Sequence, residues 1–114
     1  MKKKVNLGIL GCGSIFRSMH LPSLLNLADR YNIISLYDTD SRAIKLARTA
    51  LPAKLNVKFT KTPEEILKDP AIDAIAVLTS TSAHVKYTLQ ALKHGKYVFL
   101  EKPAAVLPAD VKRI

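Results

Sequence analysis

At 114 residues the chain suits one small domain, and a hydrophobic content of 48% supports a packed core and excludes an intrinsically disordered chain. Lys and Arg number 18 against 9 Asp and Glu, a net charge of +9. No basic stripe is interleaved with aromatics, so nucleic acid gives way to two other accounts of the charge: a phosphate-bearing small ligand, or a basic piece of a larger, balanced protein. Cys12 is the one cysteine, which rules out an intrachain disulfide and suits a reducing, cytoplasmic setting.

Lys2, Lys3 and Lys4 form a short solvated tail ahead of Val5–Leu10, a near-continuous apolar run. That run is broken by Asn6 and too short for a secretory leader, and it reads as a first parallel strand covered on both faces. No later stretch approaches the roughly 20 apolar residues needed to span a bilayer. Residues 15–29 have helical character, with Leu21, Leu24, Leu25 and Ala28 at core-facing spacing and Pro22 set to kink or restart the helix. Tyr31–Tyr37 is a second strand, ended by Asp38; Ser41–Leu51 is a helix followed by Pro52; Val57–Thr60 is a short third strand. Thr62-Pro63-Glu64-Glu65 carries a capping box with proline at the first helical position, and this helix stops before Asp69-Pro70. Ile72–Leu78 is a fourth strand. Residues 82–94 form a helix closed by Gly95 as a left-handed cap, and Tyr97–Leu100 is a fifth strand. Pro108 onward opens a further helix, inside which the sequence ends. The pattern predicts an α/β fold, a doubly wound parallel sheet of order 3-2-1-4-5 with right-handed crossovers and a ligand crevice between the first and fourth strands.

The first strand runs into Gly11-Cys12-Gly13-Ser14-Ile15-Phe16, the place for a dinucleotide fingerprint. Gly11 permits the tight turn, Gly13 lets the backbone approach a pyrophosphate, and the amides of Ser14 and Ile15 face the phosphate from a helix N-terminus. The third position, where a small residue is usual, is Phe16; the helix must shift to hold it, or the ring must turn away from the sheet. Cys12 is read as filling an apolar gap in the turn rather than as a reactive thiol. Asp38 sits where a carboxylate accepts hydrogen bonds from the adenosine ribose, which favours NAD; Arg42 softens that preference toward NADP by offering a partner for a 2′-phosphate. The alternative for Asp38 is a helix cap, a role Asp40 and Ser41 can also fill. Thr79, Ser80 and Thr81 follow the fourth strand and suit ribose or phosphate contacts, helix capping, or both. His84, in the next first turn, reads either as a contact to nicotinamide or substrate or as a surface histidine. His20 and His94 are structural or solvated, and no metal-ligand spacing is visible. Glu101-Lys102-Pro103 ends the fifth strand on the rim where parallel sheets bind ligands, and Lys102 there can be tuned toward acid–base work by partial desolvation. A strand-ending ion pair is the other account.

Three blocks together resemble one family: Gly11–Ile15 leading to His20-Leu21-Pro22, then Thr79–His84, then Ala91–Pro103. They are similar to the N-terminal domain of the Gfo/Idh/MocA oxidoreductases, and the resemblance runs over essentially the whole chain. It implies hydride transfer between NAD or NADP and a hydroxyl-bearing carbon of a sugar, cyclitol or related compound. It implies that Lys102 lies near nicotinamide and substrate and helps shift the hydroxyl proton, that Glu101 contacts the cofactor side, and that Pro103 fixes the turn. It also implies a C-terminal domain, outside these residues, that supplies most substrate contacts and the homo-oligomer interface. Leu107, where a hydroxyl-bearing cap is common, and Phe16 depart from the pattern. Two rival functions are a non-catalytic dinucleotide sensor, in which Lys102 has no role, and an S-adenosylmethionine methyltransferase, which would carry an acid where Ile9 and Leu10 stand.

Overall fold

The computed structural model describes residues 4–79 and 81–100, without the side chains of Thr81, Ser82 and Leu100. Its elements are β1 (Val5–Leu10), a π-helical turn (Phe16–His20) running into α1 (Leu21–Asn26), β2 (Tyr31–Tyr37), α2 (Ser41–Ala50), a 3-10 turn (Ala53–Leu55), β3 (Lys58–Phe59), α3 (Glu64–Leu67), β4 (Ala74–Val77), α4 (Thr81–Lys93) and β5 (Tyr97–Leu100). The strands form one sheet in the expected order β3-β2-β1-β4-β5, every pair parallel. Among the described residues no helix is long and apolar enough to cross a membrane.

Side-chain alternation along β1 divides the core in two. Leu7 and Ile9 face one side, where Phe16, Leu21, Ala43, Ala47 and Leu51 from α1 and α2 pack on them. Leu10 faces the other, with Ile66 and Leu67 of α3, Ile75 and Val77 of β4, and Tyr87 and Ala91 of α4. Each of these large side chains contributes about 1.5–3 kcal/mol on burial. The two faces follow from direction. Connections that step from β1 to β2 to β3 lie on the α1–α2 face, and those that step the opposite way, β3 to β4 to β5, lie on the α3–α4 face, as one constant crossover hand requires.

The ends of the elements differ from the sequence expectation at identifiable points. The helix after β1 widens before Pro22: the Leu21 amide donates to the Phe16 carbonyl, an i to i+5 bond. Pro22 has no N–H to continue the ladder, and the wider turn buries the Phe16 ring completely against Ile9 and Cys12. Phe16 is thus held by a deformed helix and faces the core. The helix closes at Asn26, three residues short of the expected end, where the Leu27 carbonyl accepts the amides of Arg30 and Tyr31. β3 and β4 are shorter than their apolar runs, and Ile72 is buried just ahead of β4. The capping box forms reciprocally: the Thr62 amide donates to Glu65 Oε2 at 3.0 Å and the Glu65 amide to Thr62 Oγ1 at 3.4 Å. Gly95 adopts φ 74°, and the Lys96 amide reaches back to Ala91 at 3.0 Å, closing α4 as expected.

Candidate functional site

The register of the sheet brings three chain segments to one edge. Leu10 pairs with Tyr37 on one side and Val77 on the other. The pairing extends one step beyond the strands, with the Gly11 amide donating to Tyr37 O at 2.8 Å and the Leu78 amide to Leu10 O at 2.7 Å. The turn after β1 therefore lies between the end of β2 and the end of β4, where the strand order reverses and open α/β sheets leave a crevice. A cleft of about 350 Å³ opens there, lined by Gly13, Tyr37, Asp38, Thr39, Leu78, Thr79, Ala83 and Tyr87.

Gly11 has φ 102°, and a Cβ on it would lie 2.6 Å from the backbone carbon and oxygen of Leu78. Backbone passes against backbone here, so only glycine fits. Gly13 differs: an added Cβ would meet no atom within 4 Å. Its bare face borders the cleft and is free for a ligand. The first helical bond runs from the Arg17 amide to Gly13 O at 3.1 Å, so the amides of Ser14 and Ile15 belong to the helix's open first turn, where the dipole favours an anion. Both side chains are exposed.

Asp38 holds this turn in place. Its Oδ2 accepts the Cys12 amide at 2.9 Å, and its Oδ1 accepts the Asp40 amide at 2.8 Å. The cap of α2 is Asp40, which accepts the Arg42 amide at 2.9 Å. The capping account of Asp38 is therefore replaced: its carboxylate is a brace between β2 and the glycine turn. A carboxylate has about four lone-pair positions, so both oxygens keep acceptor capacity toward the cleft. Arg42 lies in the exposed first turn of α2 and is not among the residues lining the cleft. Cys12 is fully buried, and loss of solvent with the nearby Asp38 charge pushes its thiol up to about 12. It fills space, as expected, and is unreactive at neutral pH.

His84 corrects the sequence reading. It is 2% exposed, so it is not a surface histidine, and it is absent from the cleft lining. Its Nε2 lies 2.9 Å from the Thr79 carbonyl. A carbonyl only accepts, so Nε2 carries the proton. The ring thus sits behind the segment after β4, while Thr79 lines the cleft in front of it. His20, taken as structural or solvated, packs edge-on against Phe99 with centroids 5.3 Å apart.

Of the proposed site residues, Gly13, Asp38 and Thr79 share the cleft, Gly11 lies beneath it, and Ser14 and Ile15 open the helix beside it. Ser80, Glu101, Lys102, Pro103 and the side chain of Thr81 lie outside the described residues. Two tyrosines were not foreseen. Tyr37 precedes Asp38 and alternates away from Leu36, and Tyr87 stands one helical turn beyond His84. Burial, with Tyr37 nearby, raises the Tyr87 phenol above its usual range. Aromatic residues next to an acid at a strand end, and at i+3 in the following helix, were the available signal.

Comparison with known proteins finds relatives over nearly the whole chain. The inositol 2-dehydrogenase/D-chiro-inositol 3-dehydrogenase of Lacticaseibacillus casei is 33% identical over 110 residues, covering 96% of this chain and 31% of that protein. The solved structure of myo-inositol dehydrogenase from Lactobacillus casei, in complex with NAD(H) and myo-inositol, superposes with a TM-score of 0.85 at 32% identity, covering 97% of this chain and 32% of that one. An oxidoreductase from Thermotoga maritima superposes equally well, with a TM-score of 0.85 at 28% identity, over 97% of this chain and 33% of that one. The chain thus spans about a third of the length of the relatives it matches. Residues 5–114 match the model of the Gfo/Idh/MocA oxidoreductase family, NAD-binding Rossmann fold, and the chain belongs to that family.

Proposed function

We propose that this chain is the cofactor-holding part of an NAD(P)-dependent oxidoreductase that moves hydride to or from a hydroxyl-bearing carbon of a cyclitol, sugar or related compound. The observation that carries the reading is that the open face of Gly13 and the Asp38 carboxylate, which holds the neighbouring Cys12 amide, border the same cleft. In this reading a pyrophosphate lies along Gly13 and the amides of Ser14 and Ile15, with Gly11 fixing the turn below. Asp38 accepts from the adenosine ribose and, by charge, favours NAD over NADP, with Arg42 moderating that preference. Thr79, Ser80 and Thr81 bind ribose or phosphate from the other wall, and His84 acts on them through the Thr79 carbonyl. Glu101 and Pro103 frame the nicotinamide end, where Lys102 orients the reacting hydroxyl and takes up or returns its proton. The bound nicotinamide supplies the hydride chemistry. The relatives named for inositol oxidation support a cyclitol or sugar as substrate. A longer parent protein, cytoplasmic and oligomeric through its further domain, completes the substrate site, so this chain alone binds cofactor weakly and turns nothing over.

Calorimetric titration of the chain with NAD, NADP and S-adenosylmethionine tests the reading. NAD is expected to bind most tightly; preference for the methyl donor overturns the assignment. In the longer parent, Lys102→Ala is expected to reduce turnover far more than NAD affinity; full activity would remove Lys102 from the proton transfer, and NAD binding without turnover in the unaltered parent would favour a sensor.

A further inference from the structure

A second cavity, larger than the cleft, lies among the described residues. It is an apolar groove of about 440 Å³ on the α1–α2 face of the sheet, bounded by α1 and floored by β1, β4 and β5. Tyr97 and Phe99 of β5 form its far wall and are 79% and 53% exposed. Their neighbour Val98 points the other way, into the α3–α4 core. The floor is low where it meets β4, because Ala74 and Ala76 face the groove while the bulkier Ile75 and Val77 face the opposite side. Leu24 and Leu27 of α1 form the near wall. Strands of an all-parallel sheet are ordinarily covered on both faces. Among the described residues, α4 covers one face of β4 and β5; on the other face Ala76 is buried at the edge of the α1–α2 core, while Tyr97 and Phe99 stay exposed.

The direction rule limits what can fill this space. Every step from β3 toward β5 places its helix on the α3–α4 face. A helix leaving β5 for another parallel strand at that edge continues the same direction and the same hand, so it joins α4 and leaves the groove open. An occupant must instead return across the sheet from later in a chain. The relatives provide length for that, since the match accounts for only 31–33% of each.

We infer that the groove between α1 and β5 seats an amphipathic helix contributed by polypeptide C-terminal to residue 114, packed on Ala74 and Ala76 between Leu24 and Phe99. The floor runs about five residues along the strands, roughly 17 Å at ~3.3 Å per residue. At ~1.5 Å rise this accepts about 11 helical residues, three turns. The two alanines let the helix approach closely, and the described lining residues include no Asp, Glu, Lys or Arg, so the buried stripe is apolar, at i, i+3, i+4 and i+7. The same helix would fasten the further domain to α1, the helix that opens at the cofactor cleft.

The test places the photo-crosslinking amino acid p-benzoylphenylalanine at position 97 of the full-length polypeptide, in a mixture of isotopically light and heavy copies. The expected product joins position 97 to a peptide beyond residue 114 of the same copy, with that apolar spacing. Cross-links between copies, cross-links to residues 101–114, an unreacted probe, or a coding sequence that closes after Ile114 each overturn the inference. A second measurement uses Phe99→Ser. The 114-residue chain loses only the His20 contact, so the thermal midpoint of the full-length protein is expected to fall by several degrees more than that of the 114-residue chain; an equal shift in both overturns the inference.

Discussion

The Asp38 carboxylate accepts the Cys12 amide at 2.9 Å, fastening the end of β2 to the turn that follows β1. The residue proposed to select the cofactor also shapes the loop proposed to hold its phosphates. Asp38→Ala removes acceptors from the Cys12 and Asp40 amides together. A loss of about 1–3 kcal/mol in chemical denaturation is expected, with weaker NAD binding and a narrower NAD over NADP preference. Asp38→Asn retains one oxygen acceptor and is expected to fall between. Unchanged cofactor preference in both variants would reduce Asp38 to a brace.

The two glycines of the turn separate stability from binding. Gly11→Ala forces a Cβ against the Leu78 backbone at φ 102°, and a destabilisation of about 1–3 kcal/mol or failure to fold is expected. Gly13→Ala meets no atom of the protein. Its unfolding midpoint is expected to stay close to the parent, while NAD affinity drops about tenfold, or 1.4 kcal/mol. Equal NAD affinity in Gly13→Ala would place the pyrophosphate elsewhere.

His84 offers a graded comparison. His84→Ala empties a buried site and takes the Nε2 donor from the Thr79 carbonyl; about 2 kcal/mol or more of stability is expected to go. His84→Gln retains a donor of similar reach. Partial recovery of both stability and NAD affinity in the glutamine variant is the expected result, and recovery of stability without affinity would detach the ring from the cleft.

Two groups make opposite contributions at the extremes of pH. Hydrogen bonds from the Thr62 and Lys61 amides hold the Glu65 carboxyl below its ordinary value of 4.5. A depressed folded value means that this stabilisation is present above 4.5 and is lost as the pH falls through the folded value. Glu65→Gln is expected to lower stability at neutral pH and to converge with the parent in acid. The Cys12 thiol runs the other way: folding keeps the proton on, so its contribution is complete below 9.0 and fades as the pH rises toward about 12. At pH 8 iodoacetamide is expected to leave the folded chain unlabelled and to label it once urea unfolds it.

Local signals carried most of the fold. β1, β2 and β5 have the predicted bounds because each is a largely apolar run, with Gly11 closing β1 and Asp38 closing β2, and the Thr62 box and Gly95 cap act within four or five residues of sequence. What sequence left open depends on contacts between distant segments. Whether Phe16 turns inward is decided by the space Ile9 and Cys12 leave, and the direction of Asp38 by an amide 26 residues away. His84 read as a surface residue slightly ahead of a ligand contact because one helical position fits both; its burial excludes the surface reading. The cleft's tyrosines were overlooked because aromatics at such positions ordinarily signal core, and these two serve core and cleft wall together.

The wide turn at Phe16 also sets what length changes the helix tolerates. An α-helix advances about 100° per residue, so tightening Phe16–His20 into regular helix with the chain length unchanged would rotate α1 by about that angle, carrying Leu21 and Leu24 off the sheet and His20 away from Phe99. Removing one residue from the same stretch absorbs the rotation and leaves those faces where they are. A single-residue deletion within residues 17–19 should therefore be tolerated here, while the same deletion in α2, which has no such slack, would turn Ala47 and Leu51 out of the core.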